Sequence, residues 1–417
     1  MNLIEFKKNF KEIHLIYIFY SIPILFLIGR ASVDFFFTYL GLNFLLLKII
    51  IERDFSIIKN KIFLFGLLFC FLLIFISIFS MNSQVSLFKS LTYFRFVFFF
   101  GATVYIIQSE YFDKKIFFYS LILGLLILNI DIMIQYIFKY DIFGYEPVKN
   151  SVNSYRYSGL YGDELIAGGY IQKFLLIFIL FNISNPNIFY KKYFFEIIVT
   201  LSIIIILITG DRMPLINVIY SIIFLFVFFK SIRIYLLNLS ILLFLISFTI
   251  TYLDKGISDR IISIKTQLTY KVGGEYYNPH LNLVRQSLKI HQNNKLFGTG
   301  IKTFREACSL DENKVIFRDK KYNSNFCSNH PHNYYLEILS ETGIIGLIGF
   351  IVFIIIFLHN SILSQNYLLN NKIAFISLCI FIFPIATTGS FFTNMNACYF
   401  WFFLSLINLK ILPKIRN

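Results

Sequence analysis

His330-Pro331-His332-Asn333 leads into Leu336-Glu337 and Glu341-Thr342-Gly343, where a long hydrophilic stretch joins a membrane-length apolar run. Imidazole is the side chain whose ordinary pKa lies nearest working pH, so a histidine placed here can take up and return a proton. His332, followed directly by Asn333, is the candidate base; His330 and Asn333 are binding candidates beside it. A lone histidine beside a membrane span more often caps or anchors the helix, and it is the nearby arginines that shift the reading. Arg212 closes Thr209-Gly210-Asp211-Arg212 at the end of an apolar run, where a charge is costly and usually functional. Arg285 sits on a segment that repeats Leu281, Val284 and Leu288 at helical spacing. Arg156 precedes a glycine-containing turn, and Arg260 is the weakest of the set. Guanidinium groups bind phosphate oxygens through paired hydrogen bonds, each worth about 1.5–3 kcal/mol, so these residues together suit a pyrophosphate.

The elements that must position them are membrane helices. Of 417 residues, 57% are hydrophobic and 53 are Phe, with a mean hydropathy of +0.70, more apolar surface than a soluble domain can bury. A span needs about 20 apolar residues. Twelve segments qualify as candidates, at 13–29, 35–51, 61–80, 91–109, 116–137, 165–182, 193–209, 214–229, 234–252, 335–358, 373–389 and 394–411. Their unbroken Ile/Leu/Phe runs lack the alternation of a lumen-lined barrel, which predicts an all-α polytopic membrane protein. The first segment is read as a span, since no small-residue cleavage site follows it. The expected organisation is nine spans over 1–252 with a short outer loop at 138–163, a large outer loop at 253–334, and three spans over 335–417.

The net charge of +15 is a topology signal more than a sign of nucleic acid. With twelve spans both termini share a side, and that side collects sixteen Lys and Arg against six in the short loops opposite. Basic loops stay in the cytoplasm, so the termini are expected inside and 253–334 outside. Cys308 and Cys327 both fall in that outer loop, where disulfides persist, and are expected to pair. Cys70, Cys379 and Cys398 lie in spans. Asp131 and Glu164 fall at or near membrane depth, with Arg95 the candidate partner of Asp131. No spacing of Cys or His suggests a metal site.

The Gly-Asp-Arg turn at Arg212, the Arg285 segment followed by Leu296-Phe297-Gly298-Thr299-Gly300, and His332-Asn333 leading to Glu341-x-Gly343-x-x-Gly346 together resemble the O-antigen ligase/polymerase superfamily. The resemblance covers roughly 155–350. One departure is Asp211 where the family more often has Ser, which places a carboxylate next to Arg212; another is the second histidine, His330. The family implies a multi-pass enzyme of the bacterial inner membrane with a periplasmic active site, needing neither metal nor cofactor. Its implied donor is a glycan on undecaprenyl pyrophosphate and its acceptor lipid A–core, with the lipid bilayer as surroundings. The implied reaction is an inverting glycosyl transfer in which His332 is the base and Arg212 and Arg285 hold the pyrophosphate. A polymerase that joins undecaprenyl-linked repeat units is the alternative, and a glycolipid flippase or exporter a second. The large outer loop carries thirteen Lys and Arg against seven Asp and Glu, which leans towards a phosphorylated acceptor and so towards the ligase.

Overall fold

A computed structural model describes residues 3–149, 155–184, 192–259, 271–272, 275–276, 279–313, 327–363, 369–384 and 389–409. Helix follows helix because lipid offers backbone amides no partner outside their own segment. The first half comprises α1 (Leu3–Ile28), α2 (Arg30–Phe44, extended by a π-helical turn Leu45–Ile51), α3 (Lys61–Ile78), α4 (Ser83–Gln108), α5 (Lys114–Phe138), α6 (Ala167–Ser184) and α7 (Lys192–Thr209). Then come α8 (Arg212–Phe228), α9 (Arg233–Leu253), α10 (Pro279–Asn293), α11 (Phe304–Ser309), α12 (Tyr334–Leu363), α13 (Leu369–Phe381) and α14 (Asn394–Ser405). The sheet content among the described residues is two antiparallel hairpins of two-residue strands: β1 (Val148–Lys149) with β2 (Tyr155–Arg156), and β3 (Lys271–Val272) with β4 (Glu275–Tyr276). Polar caps set several helix starts. Asn60 accepts from Ile62 and Phe63 N–H, Asn82 from Val85 N–H, and Asp113 from Lys115 N–H.

Each of the twelve apolar segments contains a helix. Among the described residues, six helices are long and apolar enough to cross a membrane, and four further apolar helices are shorter. In the segment expected at 373–389 the helix ends at Phe381, and Ser390 and Phe391 bond instead to Glu337 of α12, as described below; in 394–411 the helix runs over Asn394–Ser405. Side chains such as Phe244 and Phe248 on α9 stand outward, as a lipid-facing surface requires. Inside, Trp401 of α14 is fully buried against Tyr93, Phe100 and Phe353 from α4 and α12.

Successive helices run up and down, and this decides where chemistry can gather. The starts of α2, α4, α6, α8, α12 and α14 all come to one end of the bundle. The loop segment 295–300 docks on that end by pairing with a break in α12. Gly343 has φ +65° within that helix, and Ile344 and Ile345 N–H donate to the Lys295 and Leu296 carbonyls at 3.0 and 3.3 Å. In return, Thr299 and Gly300 N–H donate to Ser340 and Glu341 carbonyls at 3.1 and 2.8 Å. A Cβ on Gly298 would lie 2.5 Å from the Gly343 nitrogen, so the two backbones meet only because both residues lack one.

Arg95 pairs with Asp34 at 2.7 Å, which corrects the expected Arg95–Asp131 pair. Asp131 lies one helix further on and accepts the Ile142 N–H at 3.0 Å, fixing the short loop after α5. Helix neighbours in sequence are poor guides to partners here, because α4 packs against α2 and α3 while α5 packs against α1. Glu164 pairs with Arg30 at 3.0 Å.

Candidate functional site

Those helix starts enclose a polar cavity of about 1380 Å³, lined in part by Arg156, Arg212, His280, Lys302, His330 and His332. His332 is held just ahead of α12 with φ +57°, a left-handed conformation that a non-glycine residue adopts at a cost. What secures it is the next residue. Asn333 Oδ1 accepts from Tyr335 and Leu336 N–H at 3.0 and 3.1 Å, while Nδ2 donates to the Pro384 carbonyl at 2.7 Å. The Asn333 oxygen thereby caps α12 while its nitrogen ties that cap to Pro384 beyond α13, and Asn333 is not among the cavity's described lining. The His330 and His332 rings are 4.2 Å apart, and the edge of His280 meets His332 at 5.8 Å between centroids. His280, at the start of α10, was not singled out in the sequence; no local pattern marks it. Its pKa lies below the ordinary value because of burial, reinforced by the charges of His332 and Arg212.

Arg212 begins α8, and Arg156 on β2 stands near enough to repel it. Asp211 pairs with Arg156 and accepts the Gly168 N–H at 3.2 Å. The carboxylate next to Arg212 in sequence is therefore engaged with a different guanidinium. Arg285, half-buried on α10, is not among the described cavity lining, and Arg260 lies outside the described residues.

With Arg30, Lys89 and Lys173, Lys302 is one of the cavity cations that sequence reading missed. Its φ of +66° is imposed from α12: Glu341 accepts the Lys302 and Phe304 N–H groups at 2.9 and 3.2 Å. One turn earlier Glu337 accepts from Ser390 Oγ at 2.5 Å and Phe391 N–H at 2.6 Å, and Lys302 Nζ donates to the same Ser390. Both glutamates are buried, so these bonds are what makes their placement tolerable. Glutamates four apart on an outwardly apolar helix were the available signal. Their role is to fix two cavity walls at once.

Cys308 and Cys327 form a disulfide with Cα atoms 5.6 Å apart, tying α11 to the chain five residues before His332. Among the described residues, no group of three or more His, Cys, Asp and Glu is arranged to hold a metal ion.

A second cavity of about 560 Å³ lies between α6, α7, α8 and α9, lined mainly by Leu, Ile and Val. It shares Gln172 and Leu176 with the polar cavity.

Residues 197–351 match the family model described as O-antigen ligase. The matched stretch carries Arg212, His280, Arg285, Lys302, His330, His332 and both buried glutamates, and so independently supports the resemblance to that superfamily. It leaves out Arg156, Asp34 and 389–396, which line the same cavity. No curated protein matches the chain.

Proposed function

We propose that the protein is a glycosyltransferase of the O-antigen ligase type, moving a glycan from undecaprenyl pyrophosphate to lipid A–core at the periplasmic face of a bacterial inner membrane. The observation that carries this reading is the convergence of Arg156, Arg212, Lys302 and three histidines on one cavity. Cations crowded within range of one another favour a bound anion, and a desolvated pyrophosphate supplies several phosphate oxygens to meet them. In the proposed step His332 takes the proton of the acceptor hydroxyl as that oxygen attacks the anomeric carbon. The bond from that carbon to the phosphate oxygen breaks on the opposite face, giving inversion. Its electron pair stays on the pyrophosphate, where Arg212 and Lys302 stabilise the growing charge. The donor carries its own leaving group, so no nucleotide is required.

The adjoining apolar cavity supports the lipid half of the donor. A polyprenyl pyrophosphate needs a charged compartment beside an apolar one, and Gln172 and Leu176 line both. The orientation follows the charge distribution read from the sequence: every basic residue that lines the cavity lies away from the loops expected in the cytoplasm. The test is the product missing from a deletion strain. Lipid A–core without any O-chain, with polymerised glycan accumulating on undecaprenyl pyrophosphate, is the expected result. Lipid A–core bearing one repeat unit would identify a polymerase instead.

A further inference from the structure

We infer that segment 389–396 is a saccharide-recognition wall, in which Asn394 and Asn396 present amide oxygens to glycan hydroxyl groups. The inference rests on the glycan-transfer reading above and names where the sugar sits. Ser390, Thr393, Asn394 and Asn396 all line the cavity, and the segment carries no charged residue. Asn394 Nδ2 donates to Asp34 Oδ2 at 2.8 Å, and Asp34 is in turn held by Arg95 at 2.7 Å. Asn396 Nδ2 donates to the Ser390 carbonyl at 2.8 Å. A carboxylate and a carbonyl can only accept, so turning either amide over would set oxygen against oxygen. One N–H of each amide is thus used within the wall, which fixes the way the amide faces. The carbonyl ends make no hydrogen bond among the described residues.

That asymmetry selects a ligand. An amide oxygen accepts from a hydroxyl, whereas phosphate oxygens are themselves acceptors. The two amide oxygens therefore suit sugar hydroxyls and not phosphate oxygens, for which Arg212 and Lys302, the latter bonded to Ser390 at the edge of the wall, are the suited partners. Behind it Phe392 is buried against Tyr93 and Phe391, which backs the wall with packed rings. The wall is also preset. Glu337 holds Ser390 and Phe391, Thr393 Oγ1 donates to the Ser390 carbonyl at 2.8 Å, and a Cβ on Gly389 would come 2.7 Å from Asn396 Nδ2. None of these wall residues falls within the family match; Glu337, which anchors them, does.

The experiment measures binding to the purified full chain in nanodiscs with three probes: undecaprenyl pyrophosphate, the same lipid carrying a repeat-unit glycan, and lipid A–core. Asn394→Ala and Asn396→Ala should each weaken binding of a glycan-bearing probe by about tenfold while leaving bare undecaprenyl pyrophosphate unchanged. Gly389→Ala, which displaces the Asn396 amide without removing it, should reproduce the same selective loss. Loss on the glycan-bearing donor assigns the wall to the donor's sugar, and loss on lipid A–core assigns it to the acceptor's. Unchanged binding of both glycan probes overturns the inference, and so does an equal loss on the bare lipid. Wild-type protein that binds none of the three overturns the parent reading and the inference with it.

Discussion

The two cavities share Gln172 and Leu176 in their walls but are built in opposite ways. The polar one is enclosed by helix starts, loops and a hairpin, and its charged and polar groups are held from behind: Arg156 by Asp211, Asn394 by Asp34, Lys302 by Ser390 and the two buried glutamates. The apolar one lies between the sides of α6 to α9 and takes its character from helix-face residues such as Leu175, Val218 and Leu239. Placing charge at this depth requires a partner for every group, which takes many distant segments. An apolar space needs no such provision, so four helices suffice. The comparison teaches that chemistry and lipid recognition are separable here, and substitutions should separate them.

The largest effect should come from the polar side. His332→Ala should lower transfer by about 10²- to 10⁴-fold in an assay with purified enzyme, donor and acceptor, with donor binding retained. His330→Ala should cost far less. Arg212→Lys should weaken donor binding more than its retained charge suggests, because lysine cannot form the two-pronged contact. An essential His330 beside a dispensable His332 would reassign the base.

How much of this was legible in the sequence follows the same division. Apolar runs set the helices, since length and hydropathy are local properties, and the His332 segment and Arg212 stood out as polar residues at the ends of such runs. Both line the cavity. His280, Lys302, Asp34 and Asn394 were not legible as a group, because their proximity arises only when the starts of separate helices converge. Arg95 shows the same limit from the other side: its carboxylate is on α2, sixty-one residues back along the chain, where no periodicity points. Asp211 likewise is engaged with Arg156 through the hairpin, although Arg212 is its neighbour in sequence.

An intermediate effect should come from the shared wall. Leu176→Trp enlarges an apolar side chain that lines both cavities. Transfer from the full undecaprenyl donor should fall by about tenfold in kcat/KM, while a donor with a tail of two isoprene units should be used as well as before. Equal losses with both tails would mean that the apolar cavity does not hold the tail, and the separation drawn above would fail.

The smallest effect concerns His280, and its sign follows from the direction of its shift. Burial, with His332 and Arg212 close by, makes the protonated form of His280 less favourable in the folded protein than in the unfolded chain. The unfolded chain therefore binds more protons as pH falls through and below the ordinary imidazole value of about 6.5. The contribution of a neutral His280 to stability is complete above that value and is lost on acidification. His280→Gln keeps a polar side chain that does not titrate. The thermal midpoint of the wild type in detergent should drop more steeply between about pH 7.5 and 5.5 than that of the variant, by a few degrees at most, since His280 is exposed on the cavity side and solvent screens its neighbours. Identical slopes would place His280 beyond the electrostatic reach of Arg212 and His332, and would weaken the view of the polar cavity as one coupled set of charges. A steeper slope in the variant would reverse the sign and show that His280 is stabilised in its charged form by an anionic neighbour.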